Sequence, residues 1–127
     1  MQVVIDTNII VSAMFNKGTA AKFMDQVFAE VYDVVVTKNI LDEYDRVLHY
    51  HKFPFEEEDI QFVLDWFMKH GIEVEVDDDG AIPFMEARDT SDKKFFWAAK
   101  RTGSLLVTGN IRHYPIEEWR TMLWELV

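Results

Sequence analysis

The chain has 127 residues, 49% hydrophobic and 14% aromatic, which suits one packed domain over residues 1–127 and argues against a disordered chain. With no cysteine it can build neither a disulfide framework nor a thiolate zinc site. A formal charge of −10, from 23 acids against 13 bases, argues against a simple electrostatic grip on nucleic acid. Met1 leads straight into a strand-like run with no leader pattern, and no apolar stretch approaches the ~20 residues of a membrane span. A soluble, cytoplasmic protein is the expectation.

In chain order, Gln2–Asp6 reads as a buried strand, an apolar β-branched run that stops on a carboxylate. Thr7 and Asn8 follow it, and then a second apolar run, Ile9-Ile10-Val11. Thr19 is a candidate cap for a helix from about Ala20 to Val31, with Phe23, Val27 and Phe28 on one stripe. Val34–Val36 is a second short strand, and Thr37 is placed to cap a helix reaching about His49. Pro54 and the acidic run Glu56–Asp59 introduce a helix over Glu57–His70, with Ile60, Val63, Leu64 and Phe67 as its stripe and Gly71 closing it. Ile72–Val76 alternates as a strand, Asp79-Gly80 is a turn, and Ser91–Thr102 reads as a helix ended by Gly103. Leu105–Thr108 is another buried strand, while Trp119–Val127 fits strand or helix equally. Strands alternating with helices imply a parallel sheet covered on both faces. Sites in such folds collect at the carboxyl ends of strands, which makes Asp6 and Asn110 candidate neighbours.

A carboxylate inside an apolar stretch needs a partner or a cation. Other acids are therefore sought. On the helix after Thr37 the face Ile40, Leu41, Tyr44, Val47, Leu48 leaves Asp42 pointing away and puts both Glu43 and Asp45 at its edges; periodicity does not choose between them. In ARDTSDKKFFWAA, Asp92 aligns with Phe95, Phe96 and Ala99 at helical spacing, and Asp89 stands where it can cap the helix. Carboxylates from separate segments, with no cysteine and no histidine cluster, point to a hard cation such as Mg²⁺ or Mn²⁺ and to phosphoryl transfer. His49 and His51 diverge at a helix end and read as solvated or dipole-pairing. The bases Lys93, Lys94, Lys100, Arg101 and Arg112 are candidates for phosphate contact, and the four tryptophans read as core or interface.

Four segments, VVIDTNIIVSA, LDEYDRVL, RDTSDKKFFWAA and LLVTGNIRHYP, stand in an order and spacing that resembles the PIN-domain family, most closely the toxin components of toxin–antitoxin pairs. Each motif is short; the ordered set, which covers most of the chain, carries the likeness. The resemblance implies a three-layer α/β/α sandwich around a central, mainly parallel sheet. It also implies a metal-dependent ribonuclease that leaves a 5′-phosphate and a 3′-hydroxyl. On the family pattern Asp6, Glu43 (rather than Asp45) and Asp92 are the catalytic acids and hold Mg²⁺ or Mn²⁺, with Asp89 and Asn110 as further ligands. Thr7 and Asn8 would orient Asp6 and the phosphate, and Thr108 would hydrogen-bond at the strand end. RNA is the implied substrate, an antitoxin protein encoded elsewhere the implied partner, and a homodimer the implied assembly.

The sequence departs from the family where many members carry a fourth acid. Thr108-Gly109-Asn110 offers a carbonyl oxygen without charge, and His113 stands near the place of another missing acid. His113 is instead a candidate proton shuttle or phosphate contact. The alternative is thus a catalytically degenerate PIN domain that binds RNA or a protein without cutting. A haloacid-dehalogenase-like phosphatase would want a second Asp where Asn8 stands, and no glycine-rich loop supports a dinucleotide site.

Overall fold

The computed structural model of the chain describes residues 1–15, 18–76, 93–109 and, as backbone, 120–122. Strand β1 (Gln2–Ile5) runs directly into helix α1 (Thr7–Met14), and α2 (Gly18–Phe28) leads to β2 (Asp33–Val36). Then come α3 (Lys38–Leu48), α4 (Glu57–His70), the short β3 (Ile72–Glu73), α5 (Lys93–Thr102), β4 (Leu105–Thr108) and β5 (Arg120–Met122). The strands form one sheet in the order β3-β2-β1-β4-β5, every neighbouring pair parallel. Val3, Val4 and Ile5 in β1, and Leu106 and Val107 in β4, are all fully buried. Successive strand residues point to opposite faces, so helices cover the sheet on both sides: a three-layer α/β/α arrangement. The core continues into Phe23, Tyr44, Phe67, Phe95 and Phe96. Among the described residues no helix is long and apolar enough to cross a membrane.

Most elements lie where the sequence places them. Thr37 caps α3 by accepting the Ile40 N–H at 3.1 Å, and α4 has its expected bounds. Gly103 closes α5 with φ of 66°. Four differences have physical causes. The run after Asp6 is helical: Ile9 and Ile10 are buried against the core, and tertiary burial overrides the weak helix preference of β-branched residues. Helix α2 starts at Gly18 and stops at Phe28, short of Val31, because Glu30 turns left-handed (φ 61°). The Glu30 and Val31 N–H groups then donate back to the carbonyls of Val27 and Gln26, a Schellman closure without glycine. Strand β3 pairs only Ile72 and Glu73, with Val35 and Val36; after one more bond, Val74 N–H to the Val36 carbonyl, its neighbour has turned at Thr37 into α3. Arg120–Met122, within the ambiguous tail, is a strand beside β4. The Asp79-Gly80 turn, the helix start at Ser91 and the rest of Trp119–Val127 lie outside the described residues.

Candidate active site

The strand order places a crevice between β1 and β4. From β1 the chain builds outward through β2 to β3, then returns to lay β4 on the opposite side. Neighbouring connections diverge at that point, opening a cleft beyond the carboxyl ends of the two strands. Asp6 immediately follows β1 and Thr108 ends β4. The Thr108 hydroxyl donates to Asp6 Oδ2 at 2.9 Å. Asp6 is also the N-cap of α1, its Oδ1 accepting the Asn8 N–H at 3.2 Å. A carboxylate suits the positive end of a helix. These bonds allow Asp6 to sit 3% exposed in an apolar neighbourhood.

Helix α3 brings the second acid. Glu43 is 8% exposed, whereas Asp42 and Asp45, on the same helix, face solvent. The Thr7 hydroxyl donates to Glu43 Oε2. On the other oxygen, Lys94 Nζ from the first turn of α5 donates to Oε1 at 2.8 Å, with the Arg46 guanidinium farther out at 3.7 Å. Thr7 adjoins Asp6 in the chain, so α1 holds Glu43 beside the end of β1. Tyr44 follows Glu43 on α3. Its hydroxyl is fully buried and donates to the Ile5 carbonyl. Its pKa is pushed well above the ordinary 10.0, first by burial and then by the negative charges of Asp6 and Glu43.

Of the residues singled out in the sequence, the structure brings together Asp6, Thr7, Asn8, Glu43 and Thr108. Asp89, Asp92, Asn110 and His113 lie outside the described residues. Two participants stand apart from the site set read in the sequence. Tyr44 counts there only as part of an apolar stripe, although a buried tyrosine hydroxyl usually finds a partner. Lys94 counts there as a phosphate-contacting base, and the structure instead pairs it with Glu43 across 51 positions of sequence. His49 ends α3 and bridges Asp45 and Glu57. Trp66 packs between Phe28 and Phe67, and Trp97 lies beneath the Arg101 guanidinium.

Asp6 and Glu43 supply only hard oxygen donors, flanked by hydroxyls. That chemistry fits a Mg²⁺-like or Mn²⁺-like ion and suits zinc poorly. Among the described residues no third acid or histidine joins them as a metal-holding group.

The family pattern described as the PIN domain matches residues 2–112. Among solved structures, the fold is similar to a chain in the crystal structure of VapBC2 from Rickettsia felis bound to a DNA fragment from their promoter. The TM-score is 0.58 at 18% identity, over 96% of this chain and 97% of that one. No curated protein gives a match.

Proposed function

The chain belongs to the PIN-domain family, and from that premise we propose that it is a divalent-metal-dependent endoribonuclease, the toxin of a toxin–antitoxin pair. The observation that carries the proposal is the convergence of two buried carboxylates, Asp6 and Glu43, at the sheet's switch point, where Thr7, the neighbour of Asp6, donates to Glu43. In this reading Asp6, Glu43 and Asp92 hold Mg²⁺ or Mn²⁺, with Asp89 and Asn110 as supplementary ligands. Such an ion supplies the positive charge that activates water and offsets the charge developing on an RNA phosphodiester.

The chain's own residues do the orienting. Thr108 and the Asn8 N–H fix both oxygens of Asp6, so the carboxylate presents a set geometry. Thr7 fixes one oxygen of Glu43. His113 is assigned to the phosphate or to proton transfer. The fold likeness to VapBC2 supports the toxin reading with an antitoxin protein as partner; a homodimer as the assembly and the cytoplasm as the location are taken into the proposal from the family resemblance alone.

A second reading has an observation of its own. Lys94 already places a cation on Glu43, and Asn110 stands where the resemblance to the family implies an acid. A PIN domain with a disabled centre would bind RNA or a protein without cutting. Cleavage of a labelled RNA in Mg²⁺, Mn²⁺ or EDTA, by the parent and by Asp6→Asn, separates the two. Metal-dependent cutting that falls by at least a hundredfold in Asp6→Asn is expected. RNA binding without cutting in either metal would replace the nuclease reading with the second one.

A further inference from the structure

Two like charges buried side by side disfavour the fold unless a positive charge accompanies them. Among the described residues Lys94 supplies the nearer such charge, with the Arg46 guanidinium farther out. The Lys94 ammonium lies 2.8 Å from Glu43 Oε1, and the side chain is only 17% exposed against 9% for that of Glu43. Thr7 occupies the other oxygen. Both oxygens of Glu43 are therefore engaged, one of them by a full positive charge in a poorly solvated place.

We propose that Lys94 is a resident counter-ion that competes with the divalent metal for Glu43 and so sets how tightly the site takes its ion. The inference rests on the metal-dependent reading above and adds a regulating residue to it. A dication approaching Glu43 meets the ammonium's repulsion at close range. Either the lysine leaves Oε1 as the metal arrives, or both cations share one carboxylate at an electrostatic cost. In both cases removing the lysine's charge strengthens metal binding. Lys94 is thus a positioning residue, acting on the ion through Glu43. It also offsets the charge of the buried acid pair before any ion arrives. Arg46 is a lesser version of the same effect: it lies 3.7 Å from the same oxygen and is 58% exposed, so solvent screens it more.

The test is Mn²⁺ titration, read as loss of the free-ion paramagnetic resonance signal, on the parent, Lys94→Met, Lys94→Gln and Asp6→Asn. Circular dichroism checks that each is folded. Met keeps the length of the chain; Gln keeps a donor for Glu43 without charge and serves where Met fails to fold. The dissociation constant for Mn²⁺ is expected to fall by about tenfold or more in the charge-free variants, and binding to be lost in Asp6→Asn. Parent binding with equal or weaker binding in a folded Lys94 variant would overturn the counter-ion role and leave the metal reading standing. No Mn²⁺ binding by any of the proteins would overturn the metal reading, and this inference with it.

Discussion

Thr7→Val offers a direct test of how Glu43 is held. Valine matches threonine in shape and has nearly the same helix preference, so the substitution removes the hydroxyl and little else. Thr7 is buried, and its hydroxyl donates to a buried carboxylate. A hydrogen bond to a charged group contributes about 1.5–3 kcal/mol, and the added methyl returns up to about 0.8 kcal/mol of apolar burial. The net loss is about 1–2 kcal/mol. For a chain of this size, with an m-value of about 2 kcal/mol/M in urea, the unfolding midpoint falls by about 0.5–1 M. The melting temperature falls by roughly 4–8 °C. Thr7→Ser separates the causes, because it keeps the donor and gives up only a buried methyl, at about 0.8 kcal/mol. Urea unfolding of the three proteins at neutral pH is the assay. A Thr7→Val protein as stable as the parent would refute the claim that this hydroxyl secures Glu43.

Two further perturbations probe the scaffold around the site. At Gly71 a Cβ would sit 2.5 Å from the Phe67 carbonyl oxygen and 3.0 Å from Val36 Cγ2, so Gly71→Ala must push α4 away from β2. The expected loss is about 1–3 kcal/mol, read as a lower calorimetric melting temperature; an unchanged value would mean that the helix end gives way freely. His49 joins the end of α3 to the start of α4, lying 2.8 Å from Glu57. The Asp45 carbonyl and then the Glu57 carboxylate raise its pKa above 6.5, while hydrogen bonds from Gln61 and His49 lower that of Glu57 below 4.5. The raised histidine contributes stability in full below pH 6.5 and loses it as pH rises through its folded value. The lowered glutamate contributes above pH 4.5 and loses it as pH falls through its folded value. The link is therefore strongest between these limits. Going from about pH 5.5 to about pH 8.5, chosen to bracket the ordinary histidine pKa, the parent should lose more stability than His49→Gln, and parallel losses would refute the bridge.

What the sequence made legible follows from the range of the forces involved. Val3–Ile5 and Leu106–Val107 announce buried strands because a sheet covered on both faces wants apolar, β-branched residues at every position. Helices α3 and α4 announce themselves through local signals, the Thr37 cap and the four-residue stripe from Ile60 to Phe67. Helix α1 does not, since Ile9, Ile10 and Val11 have the local preferences of a strand and are helical only because the core accepts Ile9 and Ile10. The local hint was the capping oxygen of Asp6, the residue that also carries the candidate chemistry. The early end of α2 was hidden for a related reason: the left-handed residue that closes it is Glu30, not a glycine.

The same division runs through the site. Periodicity left Glu43 and Asp45 level because it measures rotation about one helix and knows nothing of what packs there. The difference between them is made by α1 and α5, which lay Thr7 and Lys94 over Glu43 and leave Asp45 to solvent and to His49. Lys94 meets its acid because α5 packs against β1, β2 and α3 in the assembled fold. An acid inside an apolar run, such as Asp6, is therefore visible in a sequence as an anomaly, whereas the burial of Glu43 and the charge that makes it tolerable are properties of the assembled fold. On the counter-ion proposal it is the pairing of Lys94 with Glu43, rather than either residue alone, that sets how the site receives a metal ion.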